Sequence, residues 1–526
     1  MAHFDIGDAI KLFAAVLGIL LPILKRALSE KAEAPPPKPV VVPRPRPAFS
    51  PPAPDRVREK LAETFAALER DAKALAESVR QDRATERFFP VLDDWLPRRC
   101  REARDRAMAG DASLEVIRWL MDTARWLTTV RDEVRALIDQ RRDPTLLAEL
   151  GDADALAECC YAPIVDFART RGLPLRSARP VARLSDFDLS IWTGFAPTSL
   201  APIFLPPDFF SRVAWWPAVA HEIGHDFLIS IDRLRDRLGV DLGLPPEDVG
   251  TLPLHINAEG LPSGELVRVH GAWLEELFCD VFGTLMCGPA YALTMVELFS
   301  HEQDPREVLL VPFDRRTGHY DTHPPRHLRV HAAAWVLEAA GFHQDAREIL
   351  EEWSALNDLG DDPSHVPLLF FTSGRWVQVP FGPVAAFTRD FVERLYAGPL
   401  PALGGIGLRD ISGLDFGPHE HAEANRARLA LLAGQVPQTK DARAVIAGAV
   451  LAAREQPEQE ATILHRARQA IVAVGTFEHR PDVYVPAALP QVPEALELSP
   501  DAVREALVLS EILRRPGSTG RHRRVA

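Results

Sequence analysis

From Gly271 to Met286 the chain reads as one helix that is apolar on almost every side, with Trp273, Leu274, Leu277, Phe278, Val281 and Phe282 leaving no water-facing stripe. Glu276 and Asp280 nevertheless sit on it four residues apart and share a face. An acidic pair at that spacing is ordinarily a solvated helix surface. Here the neighbours exclude it, and buried carboxylates require a charged or hydrogen-bonding partner. The fold must therefore bring a cationic group against this helix, which stops at Gly288-Pro289.

An upstream segment offers that partner. Pro217 is a good first helical residue, and the apolar stretch after it carries His221 and His225 four positions apart, about one turn, on a common face. Two such imidazoles take two corners of a tetrahedral zinc site, and Glu276 can close the shell. Asp280 can accept a hydrogen bond from a ligand histidine and fix its tautomer. Glu222, beside the first ligand, reaches water polarised by the ion rather than the ion itself, which is the position of a general base. Glu275 is the less suitable neighbour, because the residue four positions on is Cys279.

These blocks, His221-Glu222-Ile223-Gly224-His225 followed by Glu276 to Asp280, resemble the gluzincin metallopeptidases, whose pattern is H-E-x-x-H and then E-x-x-x-D. Thr322-His323-Pro324-Pro325, with Arg329 six residues after the histidine, is similar to a third block of the membrane-associated gluzincins, the CAAX prenyl proteases and heat-shock zinc proteases. The resemblance implies a zinc endopeptidase with one Zn2+ per chain, held by His221, His225 and Glu276. Glu222 would be the base, and Asp280 would support a ligand from behind. It also implies that His323 lies near the metal and can stabilise an oxyanion, and that Arg329 ties this block to the acidic helix by an ion pair. The likeness covers roughly residues 195 to 340. It departs at Asp226, where an uncharged residue is usual, and in lacking several long membrane spans.

Composition narrows the remaining readings. A formal charge of −14 argues against a nucleic-acid partner, which needs a concentrated basic surface. The five cysteines include the adjacent pair Cys159-Cys160, so no disulfide framework is expected and a cytoplasmic setting is favoured. Leu12 to Leu24 form an uncharged apolar run followed by Lys25-Arg26, marginal as a span, and residues 9–27 are a candidate tether to the inner face of a membrane or a helix docking on protein.

The expected fold is mainly α (α+β), a zincin-like core with a small sheet and active-site helices, flanked by helical regions. Residues 1–33 form the apolar terminal segment, and 34–54 a stiff proline-rich linker. A helical bundle follows over 55–178, then the metallopeptidase region over 179–345. The chain continues with a helical region over 346–510 and a basic tail over 511–526. Short strand-like runs at 190–193 and 202–205 supply the sheet, and Ile203, Phe204 and Leu205 are the candidate edge strand for pairing an extended protein or peptide substrate. The proline- and glycine-rich stretch from Gly239 to Gly264 is a candidate flap.

Other histidines carry less chemistry. His419 and His421 are expected in a solvated loop, and His327 and His331, four apart without an acidic neighbour, on a helix surface. Two other functions fit the same residues: a catalytically silent zinc-binding scaffold acting through its helical regions, or a zinc hydrolase of non-peptide carbonyl compounds. A scaffold has no need of Glu222, which weighs against the first.

Overall fold

The computed structural model describes residues 54–474, apart from 83, 110–112, 176–178, 186–188, 192–199, 245–262, 301–304, 312, 315–318, 321, 361–365 and 373–374. The terminal segment and candidate membrane tether, the proline-rich linker, the basic tail and most of the candidate flap lie outside the described residues.

The described chain is mainly helical with a small sheet. Helices α1 (Pro54–Val79), α2 (Leu96–Met108) and α3 (Leu114–Arg142) pack around Phe65, Trp95, Leu120, Leu127 and Val134. Ser113 begins α3 by accepting a hydrogen bond from the Val116 N–H at 3.3 Å. Helix α4 (Pro144–Arg171) starts beyond the Asp143 cap and turns its apolar face to a second, larger core, so the boundary between cores falls at the α3–α4 joint. A buried node spans that joint. Asp154 of α4 receives Arg141 of α3 at 3.0 Å, Arg87 at 2.9 Å and the Ala182 N–H at 2.6 Å.

Three strands follow, β1 (Arg179–Leu184), β2 (Ser190–Ile191) and β3 (Leu200–Leu205), in the order β1-β3-β2. Strand β3 pairs in parallel with β1 along its whole length and antiparallel with β2 through Phe204 and Ile203. Ile203, Phe204 and Leu205 therefore belong to a central strand, and the edge expected of them belongs to β2. A parallel partner arriving from Arg179–Leu184 is a tertiary event that local alternation does not announce.

Helix α5 (Ala218–Ser230) carries the histidine pair and is followed by α6 (Leu234–Asp241). It packs on α7 (Ser263–Cys287), where Gly224 lets the backbones close: a β-carbon there would stand 3.1 Å from Cys279 Cα and Sγ. Gly288, at φ +56°, breaks the chain into α8 (Pro289–Phe299), a conformation open to glycine. After the short strands β4 (Phe313–Asp314) and β5 (His319–Tyr320) come α9 (Arg326–Ala339) and α10 (His343–Leu356). A hairpin, β6 (Leu368–Thr372) and β7 (Arg375–Val379), then interrupts the C-terminal helices α11 (Phe381–Ala397), α12 (Pro418–Leu432), α13 (Ala442–Glu455) and α14 (Glu460–Val474). His419 and His421 occupy the first turn of α12 rather than a loop, because Glu420 accepts the Gly417 N–H at 3.0 Å and caps the helix. The five cysteines are free thiols, and among the described residues no helix is long and apolar enough to cross a membrane.

One buried group makes the fold acid-sensitive. His270 of α7 is fully enclosed, its Nδ1 2.8 Å from the Leu266 carbonyl and its Nε2 2.8 Å from the Thr388 hydroxyl. Burial pushes its pKa down to about 4, whereas an unfolded chain charges near 6.5. The ring stays neutral in the fold while the unfolded chain takes up a proton, so its contribution is intact above pH 6.5 and drains away as pH falls towards 4. The loss amounts to about 3 kcal/mol. Urea midpoints taken between pH 7 and 4.5 should fall in the wild type with a component that His270→Gln lacks. Parallel pH profiles in the two proteins would contradict it.

Candidate metal centre

Helices α5 and α7 bring the two sequence blocks face to face. His221 Nε2 lies 3.2 Å from His225 Nε2, and Glu276 reaches both, Oε2 at 3.4 Å from the first and Oε1 at 3.4 Å from the second. Ligands at 2.0–2.1 Å from a tetrahedral zinc stand about 3.3–3.4 Å from one another, and each of these separations is close to that length, with Glu276 meeting the two nitrogens through different oxygens.

Both outer ring nitrogens are held from behind. His221 Nδ1 is 3.1 Å from Asp280 Oδ1, and the Tyr291 hydroxyl, which donates to the same Asp280 oxygen at 2.8 Å, also lies 3.1 Å from that nitrogen. His225 Nδ1 is 2.9 Å from Glu275 Oε1, whose other oxygen faces Arg235 at 3.4 Å. Carboxylates behind both imidazoles turn both Nε2 atoms inward, where Arg329 Nη2 also lies 3.3 Å from that of His221. Asp280 and Glu276 both face the histidine pair from α7. Glu275 and Tyr291 are additions, and Gly283 makes room for Tyr291, since a β-carbon there would collide with its ring.

Charge supports a cation at this point. Burial drives His221 down, yet its contacts with the Asp280 and Glu276 carboxylates more than reverse it, raising it to about 9. Burial likewise acts on Glu276 and Asp280, but the Arg329 guanidinium and the His221 contact hold both low, Glu276 well below the usual carboxylate range. Arg329 donates from Nε to Asp280 Oδ2 at 2.9 Å and from Nη2 to Oδ1 at 2.8 Å. Its Nη1 lies 3.1 Å from Glu276 Oε2 without the alignment to donate, so this oxygen is buried with no hydrogen-bond partner among the described residues. A buried carboxylate oxygen that pairs with Arg329 but accepts no hydrogen bond, beside two converging nitrogens, fits a metal ion.

Cys279 is a rival donor. His221, His225 and Cys279 place ligand atoms within 4.8 Å of one another, a buried cluster able to hold a metal ion. The thiol, however, lies in the α5–α7 seam against Gly224 and does not line the cleft. Burial and the surrounding carboxylates also push its pKa well up, disfavouring the thiolate. Glu276 offers oxygens 3.4 Å from each Nε2 atom on a carboxyl that Arg329 and His221 hold in its ionised form.

The centre opens into a cleft of about 500 Å³ that Glu222, His323 and Arg326 also line. Burial raises Glu222 above the usual carboxylate range, against the opposing influence of the two histidines. His323, half exposed, comes within 3.3 Å of Glu276 Oε1 through Nε2. Ile203, Phe204 and Leu205 do not reach the cleft, whereas Leu189, Ser190 and Ile191 at the sheet edge do. Asp226 turns away to accept from Tyr161 and Ser230, which explains how a charge is accommodated after the second histidine. His327 and His331 are buried rather than on a surface: Trp353 donates to His327 Nδ1 at 3.0 Å, and Phe381 packs on both rings. No family model, curated protein or solved structure matches the chain, so the chemistry of this centre rests on its own side chains.

Proposed function

We propose that the chain is a zinc-dependent peptidase with a zincin-like core, His221, His225 and Glu276 being the ligands. One observation carries this reading: two Nε2 atoms and a buried carboxylate converge at tetrahedral spacing while carboxylates hold both Nδ1 atoms. The nitrogen and oxygen donors suit zinc, and the small sheet beside the histidine helix supports the zincin-like comparison. Bound zinc would supply Lewis acidity, polarising a carbonyl and making water more acidic.

The protein's groups supply the rest. Glu222 faces the cleft with a carboxyl whose pKa burial has raised, so it can take a proton from attacking water and return it to the departing amine. His323 presents a half-exposed ring on the cleft wall, positioned to donate to the carbonyl oxygen as negative charge develops there. Asp280 and Glu275 keep each imidazole in the tautomer that turns Nε2 inward. Arg329 locks Asp280 in place and joins the block after His323 to the acidic helix. An open cleft bordered by a strand edge favours an extended peptide over a small molecule.

Metal analysis together with peptide cleavage tests this reading. Purified protein should contain about one zinc per chain, and Glu222→Gln should retain the metal while losing on the order of 10²–10⁴ in kcat. Unchanged cleavage by that variant, or wild-type protein that binds no zinc, would sink the proposal.

A further inference from the structure

The cleft has a second character away from its acidic wall. Leu189 and Ile191 from the sheet edge, Trp215 from the turn before α5, and Leu298 and Phe299 from the end of α8 are half-buried apolar side chains lining the same opening as the histidines. Helix α8 organises this wall. Tyr291 touches His221, and Leu298 and Phe299 lie seven and eight residues further on, roughly 10–12 Å along the axis at 1.5 Å per residue. The wall is braced: the Thr294 hydroxyl donates to the Ala214 carbonyl at 2.7 Å, joining α8 to the turn that carries Trp215. Phe299 is held beneath the guanidinium of Arg329 at 5.2 Å.

Half-exposed leucine, isoleucine and tryptophan around a concave site gain by covering one another with a ligand's apolar surface. The rest of the lining carries both signs of charge, Glu222, Glu275 and Glu276 with Arg326 and Arg329, so the apolar wall and not net charge sets the preference for an uncharged, apolar side chain. From these observations we propose that the Leu189–Ile191–Trp215–Leu298 wall is a side-chain subsite selecting peptides with a bulky apolar residue within about three positions of the scissile bond, at roughly 3.3 Å per extended residue. The assignment rests on the peptidase reading and names its substrate class.

The test separates the two claims. Fluorescent peptides differing only in phenylalanine or aspartate near the scissile position are titrated onto zinc-loaded Glu222→Gln protein, and wild-type kcat/KM is measured for the same pair. Phenylalanine should bind at least about tenfold more tightly, in line with the 10–200-fold that apolar pockets discriminate. Leu298→Arg should abolish that preference and Ile191→Lys should reduce it, each with unchanged zinc content as the check on folding. Equal binding of the two peptides, or a full preference retained in both variants, overturns the subsite. Selective binding of phenylalanine without any cleavage by the wild type leaves the subsite standing and removes the peptidase reading.

Discussion

With the proposed ligand set, Glu276→Gln should lower zinc affinity by more than about a hundredfold, while Cys279→Ser should change it by less than about threefold. The glutamine keeps the volume of the side chain but gives up the charge and the strong oxygen donor that sit 3.4 Å from both ligand nitrogens. Loss of an outer partner alone typically costs roughly 10–100-fold, so loss of a direct ligand should exceed that range. Cys279 lies in the seam beside Gly224, and serine fills nearly the same space there. Competition titration with a chelating dye measures both affinities. A large loss in the cysteine variant with a small one in the glutamine variant would transfer the third ligand to sulfur.

Arg329→Met destabilises the metal-free protein by about 3–5 kcal/mol, the usual cost of leaving a buried charge without its counter-charge. Arg329 is 8 % exposed and contacts both Asp280 and Glu276, which are themselves buried. Methionine fits the volume but leaves two carboxylates in an apolar helix with the histidines as their remaining cationic partners. Zinc bound as proposed would restore positive charge at the same point, so the deficit should shrink when the ion is present in excess. Urea unfolding in chelator and in zinc measures the two values. A loss below about 1 kcal/mol in chelator would mean that water or other groups satisfy the carboxylates.

The part of the centre legible in the sequence is the part governed by helix periodicity. His221 with His225 and Glu276 with Asp280 are local spacings, and an apolar helix carrying two acids limits where those acids can go. Glu275, with Cys279 four residues on, carries no such local signal; its contact comes from His225 arriving across the α5–α7 interface. Tyr291 has no local signal either, since a different helix brings its hydroxyl to Asp280. The same limit explains β3, whose second partner lies some twenty residues upstream. It also explains His327 and His331, which look solvent-facing on their own helix until Trp353 and Phe381 cover them. The β6–β7 hairpin is a further departure from the helical reading of the C-terminal region.

The placement of Val181 and Leu200 bears on how such a protein can change over time. These strand residues join the core of α1 to α3, while Ala182, Ile203 and Leu205 of the same two strands join the core that carries the metal centre. The sheet is a party wall between two rooms. A substitution that thickens one side presses on the other, so the amino-terminal helices and the half that holds the histidine pair are bound to drift in step, and neither can be swapped for a foreign module without rebuilding the partition.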